Sequence, residues 1–142
     1  MLRYQPLPEL KIKEISKLTW TTLYPCCVTG SLEPNETPLQ NAIKEVLEET
    51  NYQIIKNDIK GTNIVVASTQ MNECVYTFIA DISNAKHVNK KQGDGSIFES
   101  ISQNHWVSHQ KLKSILSDNK DLYLSSLASA YLLFQKRILK IK

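Results

Sequence analysis

The sequence predicts one α/β domain over residues 1–142, an α/β/α sandwich in which helices pack on a mixed sheet. Amphipathic helical segments are mixed with segments rich in β-branched and aromatic residues. Several of these β segments are apolar at consecutive positions, as strands covered on both faces are. A chain of 142 residues is long enough to bury one hydrophobic core. No linker, internal repeat or low-complexity tract divides the sequence.

The composition favours a cytoplasmic protein that acts on a small molecule. No apolar run reaches the roughly 18–20 residues that cross a bilayer, and the opening MLRYQPLPELKIKE lacks the apolar core of a signal peptide. The net charge is +3, and its excess is partly local, at residues 86–91 and 136–142. Neither basic stretch is interleaved with aromatic residues, so no nucleic-acid partner and no membrane partner are predicted.

The three cysteines predict free thiols. Cys26 and Cys27 are adjacent and Cys74 is alone, which is a poor framework for disulfides. No histidine or further cysteine stands at the spacing of a zinc finger. We expect all three thiols to be buried or half-buried.

The predicted elements follow one another along the whole chain. Strands are predicted at 20–30, 52–56, 62–68, 73–82 and 100–108, a long polar loop at 83–96, and helices at 109–118 and 122–139. Residues 1–19 predict a short strand or an irregular element. Trp106 is expected in the core. The last helix carries an apolar stripe that favours core packing, with a homodimer contact as the alternative; its residues are Leu124, Leu127, Tyr131 and Phe134.

The segment TPLQNAIKEVLEETNY has the strongest helical signals. Thr37 is a candidate N-cap, and Pro38 stands at the first helical position, where its missing N–H costs nothing. Gln40 follows the cap by three residues and completes a capping-box pattern. Asn51 follows the last periodic residue and suits a left-handed C-terminal cap.

This helix concentrates acidic residues on one side. Leu39, Ile43, Val46 and Leu47 fall on its apolar face, and Glu45, Glu48 and Glu49 fall roughly opposite. Like charges one turn apart cost roughly 0.2–0.5 kcal/mol per pair, and only Lys44 offsets them. Carboxylates at this density are hard oxygen ligands that suit Mg²⁺ or Mn²⁺. A solvated acidic face is the alternative.

The stretch GSLEPNETPLQNAIKEVLEETNY, 30–52, resembles the Nudix box, G-x5-E-x7-R-E-U-x-E-E-x-G-U, where U is a bulky apolar residue. The matching residues are Gly30, Glu36, Glu45, Val46, Glu48 and Glu49. Two positions depart from the pattern: Lys44 replaces the arginine and Asn51 replaces the glycine. Asparagine tolerates the left-handed conformation, so the second departure is mild.

The resemblance implies an α/β/α sandwich and a hydrolase that uses Mg²⁺ or Mn²⁺. Metal ligands would be the backbone carbonyl of Thr29 and the side chains of Glu45, Glu48 and Glu49, with Glu36 and Gly30 in support. Glu48 and Lys44 would belong to the catalytic machinery. The substrate would be a nucleoside diphosphate derivative, cleaved at its diphosphate by in-line attack of water. Lysine keeps the charge of the family's arginine but loses its two-pronged geometry, which predicts reduced or retuned activity.

Residues outside the box indicate a branch of the family. ASTQMNECVYTFIADIS resembles a segment of ADP-ribose and nucleotide-sugar pyrophosphatases: Ser68 and Glu73 fit, and Thr69 replaces a proline. By the same resemblance, Glu99 is the candidate base that activates water, with a solvated loop glutamate as the alternative. Arg3 weakly resembles an early arginine that contacts phosphate, with a disordered terminus as the alternative.

Three functions stay open at the level of the sequence. The first, favoured by Glu73 and Glu99, is hydrolysis of ADP-ribose or a nucleotide sugar. The second is clean-up of modified nucleoside triphosphates with release of pyrophosphate, as compact members of the family do. The third is a nucleotide-binding module with little or no turnover, which only Lys44 supports.

Overall fold

The computed structural model describes residues 1–6, 23–89, 102–117 and 123–140. Its strands are β1 (Leu2–Pro6), β2 (Leu23–Cys26), β3 (Tyr52–Gln53), β4 (Ile59–Val66), β5 (Cys74–Ala80), β6 (Lys86–His87) and β7 (Gln103–His105). Its α-helices are α1 (Pro38–Thr50), α2 (His109–Ser117) and α3 (Ser125–Phe134). A 3-10 turn, Lys56–Asp58, precedes β4, and a π-helical segment, Gln135–Leu139, continues α3. These elements, with helices against antiparallel strands, confirm the predicted α/β class.

The strands form one three-stranded sheet and two ribbons. The sheet has the order β2-β1-β7, so β1 is its central strand. The ribbons pair β3 with β6 and β4 with β5, and every strand pair in the described ranges is antiparallel. Helix α3 packs against β2, β4 and β5, and α1 runs directly into β3. None of the helices in these ranges is long and apolar enough to cross a membrane.

A small hydrophobic core lies between the three-stranded sheet and the last two helices. Leu2 of β1, Ile115 of α2 and Leu127 of α3 are buried together. Partly buried neighbours complete the cluster: Tyr4, Cys27, Val107, Leu112 and Leu116. The burial of Leu127 agrees with core packing of the apolar stripe on α3.

Some predicted elements are shorter than the sequence pattern suggested. The strand expected at 52–56 ends at Gln53, because the Asp58 carboxylate accepts a hydrogen bond from the Ile55 N–H (2.8 Å) and stabilises the 3-10 turn. The polar loop expected at 83–96 contains β6, whose His87 pairs with Tyr52 and contacts its ring edge-on at 4.9 Å.

Trp106 is a correction to the sequence analysis. The indole is 64 % exposed rather than in the core. Strand β7 ends at His105, and the next inward-facing side chain is that of Val107, which packs on the core. The Trp106 ring instead lies edge-on to the Tyr52 ring, with the two ring centroids 6.0 Å apart.

Helix α1 begins and ends as predicted. The Thr37 hydroxyl accepts a hydrogen bond from the Gln40 N–H (3.3 Å), and the Gln40 side chain accepts one from the Thr37 N–H (3.0 Å). Pro38 is the first helical residue. Asn51 adopts φ 60°, in the left-handed region, and its N–H donates to the Leu47 carbonyl at 3.0 Å. The positions of the acidic residues are therefore fixed by local signals at both ends of the helix.

The three cysteines are free, but they differ in exposure. Cys26 is buried and Cys27 is half-buried, as predicted, whereas Cys74 is exposed at the start of β5. Burial raises the pKa of Cys26 to about 12 and that of Cys27 to about 11. Both thiols therefore stay protonated at neutral pH, and the expectation that all three would be covered is wrong for Cys74.

We expect iodoacetamide at about pH 8 to alkylate Cys74 well before Cys26 and Cys27, because the thiolate is the reactive form. Peptide mass spectrometry at timed intervals measures the order. Modification of Cys26 and Cys27 should become fast only as the pH approaches 11 or when the protein is unfolded. In Cys74→Ser protein, early labelling should disappear; labelling of Cys26 at the rate of Cys74 would contradict the burial described.

Candidate active site

Gly30 lies directly against the Glu45 side chain. A Cβ atom at position 30 would overlap the carboxylate of Glu45. Glycine at the first position of the box therefore provides space for the carboxylate of Glu45, fifteen residues later in α1, and no other residue leaves that space open. Thr29, whose backbone carbonyl is a predicted metal ligand, precedes Gly30 and lines the same cavity as Glu45.

Asn41 connects the loop before α1 with the acidic residues. Its side chain is buried, and its Nδ2 donates to the Ser31 carbonyl (3.0 Å), to Glu36 Oε2 (3.2 Å) and, at 3.5 Å, to Glu45 Oε1. No function is predicted for Asn41 from the sequence alone. The signal was available, since Asn41 stands one helical turn before Glu45 on the acidic side of α1.

Lys44, the residue that replaces the family's arginine, pairs with Glu36. The Lys44 Nζ to Glu36 Oε1 distance is 3.4 Å, and the lysine side chain is 41 % exposed. This hydrogen bond and the Glu36 charge raise the pKa of Lys44, with smaller contributions from Glu48 and Glu45. Desolvation raises the pKa of Glu36, but hydrogen bonds from Asn41, the Glu33 backbone and Lys44 outweigh it and hold the pKa below its usual value. Lys44 is thus a protonated, partly solvated cation at the side of the box.

Glu49 is held by a different cation. Its carboxylate Oε1 lies 3.1 Å from Arg3 Nη2, with the two side chains only 8 % and 5 % exposed. Arg3 Nη1 also donates to the Glu49 carbonyl (3.3 Å), and the Asn104 side chain donates to the same carbonyl (2.6 Å). Arg3 and Asn104 are cross-strand partners on β1 and β7. The alternative of a disordered terminus is therefore wrong for Arg3, which is a buried residue of the central strand.

The three glutamates of α1 occupy three environments. Glu45 is half-buried beside Gly30, Glu48 is exposed, and Glu49 is buried against Arg3. In the ranges that the structure describes, no three acidic, histidine or cysteine side chains already converge on one point. The donor chemistry nevertheless fits a hard divalent cation, because three carboxylates stand within two turns of one helix. A shared ion would require these side chains to turn toward one another.

A cavity of about 1010 Å³ opens beside this site. Thr29, Gly30 and Glu45 line it together with Glu73, which precedes β5. Six further lining residues have aromatic rings: Tyr76, Phe78, Trp106, His109, Tyr131 and Phe134. Within this group, the His109 ring stacks on Tyr131 with centroids 5.7 Å apart, and His109 Nε2 lies 3.1 Å from the Tyr131 hydroxyl.

The structure thus brings some predicted site residues together and separates others. Thr29, Gly30, Glu45 and Glu73 share one cavity. Other predicted site residues do not line it: Arg3, Glu36, Lys44, Glu48 and Glu49. Glu99, the predicted base, lies outside the described residues. The phosphate contact predicted for Arg3 stays a prediction, and its described contacts are with the end of α1.

Most of the chain matches a known family of domains. A model of the NUDIX domain matches residues 11–126 of the chain. This chain belongs to the Nudix family. The matched segment contains the whole box, the loop that carries Thr29 and the β4–β5 ribbon, and it excludes Arg3.

Membership of the Nudix family assigns a general chemistry. Nudix domains hydrolyse compounds built on a nucleoside diphosphate, generally with divalent metal ions. Neither a curated protein nor a solved structure matches the chain significantly.

We expect Gly30→Ala to lower hydrolytic activity while leaving the melting temperature nearly unchanged. The added methyl group meets the movable end of the Glu45 side chain, so the carboxylate is displaced and the backbone is not. Steady-state kinetics and thermal melting, measured together, check this. Gly61→Ala, on β4, is the matched glycine control, because its Cβ would meet Arg137 rather than a box residue. Full activity in Gly30→Ala would show that the contact with Glu45 has no catalytic importance.

Proposed function

We propose that this protein hydrolyses the diphosphate linkage of a nucleoside diphosphate derivative, with ADP-ribose or a nucleotide sugar as the favoured substrate and Mg²⁺ or Mn²⁺ as the metal. The observation that carries the proposal is the cavity in which Thr29, Gly30 and Glu45 of the box region meet Glu73 and an aromatic lining. Family membership supplies the reaction class.

The cavity suits a long, two-part substrate. Its volume, about 1010 Å³, is at the upper end of the range for small-molecule sites, which leaves room for a nucleotide with an attached sugar. Exposed Trp106 and half-buried Tyr131 offer aromatic surfaces on which a nucleobase can stack. Glu73 offers a carboxylate that accepts hydrogen bonds from sugar hydroxyls.

The box residues would act on the diphosphate. A divalent ion, when bound, neutralises charge on the diphosphate during in-line attack by water. Glu45, Glu48, Glu49 and the Thr29 carbonyl are the proposed ligands, with Glu45 next to the cavity. Glu48 is also assigned a catalytic role, which its exposed position allows.

Lys44 and Asn41 have supporting roles in the proposal, and Glu99 lies beyond the box. Lys44 and Asn41 hold Glu36, and Asn41 also restrains the loop that carries Gly30 through the Ser31 carbonyl. Glu99 remains the proposed base that takes the proton from the attacking water.

A hydrolysis screen tests the proposal. We expect turnover of ADP-ribose or a nucleotide sugar in Mg²⁺ or Mn²⁺, with a nucleoside monophosphate and a sugar phosphate as products. Chromatography of the products identifies the bond that is cleaved. Glu45→Gln should lose activity by about 100-fold or more while its circular dichroism stays native, because one ligand charge beside the cavity is removed at nearly constant volume.

The screen also includes dinucleoside polyphosphates and oxidised nucleoside triphosphates. Release of inorganic pyrophosphate from a triphosphate would replace the proposal with nucleotide clean-up. Absence of turnover on the whole panel, together with a ligand-dependent rise in melting temperature, would instead identify a binding module.

We expect Lys44→Arg to keep or raise kcat/KM. Lys44 now gives Glu36 one contact at 3.4 Å, and a planar guanidinium can give the same carboxylate two parallel hydrogen bonds. Parallel kinetics of wild type, Lys44→Arg and Lys44→Met on the best substrate measure the effect. A large loss in Lys44→Arg would mean that the site has adapted to lysine.

A further inference from the structure

We infer that Arg3 is a positioning residue of the active site: it contacts Glu49 through two nitrogen atoms and so orients a glutamate of the box from outside the box. The inference rests on the proposed function, in which Glu49 is a metal ligand. Under this inference, Arg3 acts by orienting a metal ligand. It does not act by contacting a phosphate of the substrate.

Arg3 contacts both the backbone and the side chain of Glu49. Arg3 uses two nitrogen atoms on two different acceptors of one residue: Nη2 lies 3.1 Å from Glu49 Oε1, and Nη1 lies 3.3 Å from the Glu49 carbonyl oxygen. One rigid guanidinium therefore fixes both the backbone and the carboxylate of Glu49. A lysine, with a single nitrogen, does not span both acceptors in this way.

Arg3 is buried and is supported by a neighbouring strand. The Arg3 side chain is 5 % exposed, and β1 is the central strand of the three-stranded sheet. Its cross-strand neighbour Asn104 donates to the same Glu49 carbonyl at 2.6 Å. Side chains from two neighbouring strands of the sheet thus donate hydrogen bonds to one carbonyl at the end of α1, so the contact with Glu49 is anchored on the three-stranded sheet.

The C-terminal end of α1 concentrates negative charge. All of α1 is described, and its last turn contains no basic residue although Glu48 and Glu49 stand there. A helix C-terminus carries partial negative charge, which these glutamates add to rather than offset. A buried carboxylate in that position requires a cation close by. Arg3 supplies it from strand β1.

Lys44 does not perform this task. Its side chain is 41 % exposed and its ion pair is with Glu36, not with Glu49. Arg3 also lies outside residues 11–126, the segment that the family model matches. The orienting cation of this site is therefore supplied by a strand that precedes the matched domain in sequence.

Mn²⁺ binding tests the inference without any substrate. Free Mn²⁺ is measured by electron paramagnetic resonance during titration of wild type, Arg3→Lys, Arg3→Met and Lys44→Met. We expect Arg3→Met to weaken Mn²⁺ binding by about 10–100-fold, the usual effect of removing a group that orients a metal ligand. Arg3→Lys should lie between Arg3→Met and wild type, and Lys44→Met should weaken binding less than Arg3→Met does. Lys113→Met, at an exposed position of α2, controls for the loss of one positive charge.

Folding is measured on the same samples by circular dichroism and thermal melting. Should Arg3→Met fail to fold, Arg3→Lys carries the test, since it keeps the charge and loses the second donor. Unchanged or tighter Mn²⁺ binding in folded Arg3→Lys would overturn the inference, because Arg3 would then only brace the fold or compete with the metal. Equal weakening in Lys44→Met would overturn it as well.

The outcomes of this experiment and of the hydrolysis screen are separable. Absence of turnover with intact, Arg3-dependent Mn²⁺ binding would reject the proposed reaction and leave the role of Arg3 standing. Turnover with Mn²⁺ binding that does not depend on Arg3 would support the reaction and reject the positioning role of Arg3.

Discussion

The buried ion pair between Arg3 and Glu49 is the interaction on which the rest of this site depends. It joins the end of α1 to the central strand of the three-stranded sheet, across 46 positions of sequence. Removing one partner of such a pair costs about 3–5 kcal/mol, because the other charge is left buried. The same contact that holds the helix on the sheet also sets the direction of a box glutamate. Stability and site geometry are therefore coupled at this residue pair.

The other end of the box is organised by the uncharged side chain of Asn41. Asn41 holds the Ser31 carbonyl and Glu36, and it reaches Glu45, whose carboxylate occupies the space that Gly30 leaves open. The acidic side of α1 is therefore not a uniform solvated face. One glutamate is packed on the loop, one is paired with the sheet, and Glu48 between them faces solvent.

The glutamates of α1 differ in whether they line the large cavity. The residues that line the large cavity come mainly from the loop before α1, from α1, from β5 and from the C-terminal segments, whereas Glu48 and Glu49 do not line it. If the proposed function holds, substrate would be recognised by β5 and by aromatic residues of the C-terminal segments, while Arg3 restrains α1 at Glu49. Variation of the aromatic lining can retune the substrate while the contact between Arg3 and Glu49 stays intact.

Local patterns in the sequence are enough to predict α1, its caps, the spacing of its acids and the family, because capping, helical periodicity and the box each involve neighbouring residues. Most strands also lie within a few residues of their predicted positions. Tertiary structure alone decided what those acids touch: Arg3 is paired with Glu49, Trp106 is exposed, and Asn41 is buried. Contacts between distant positions depend on how the sheet and helices pack, and no local pattern encodes which cation reaches which carboxylate.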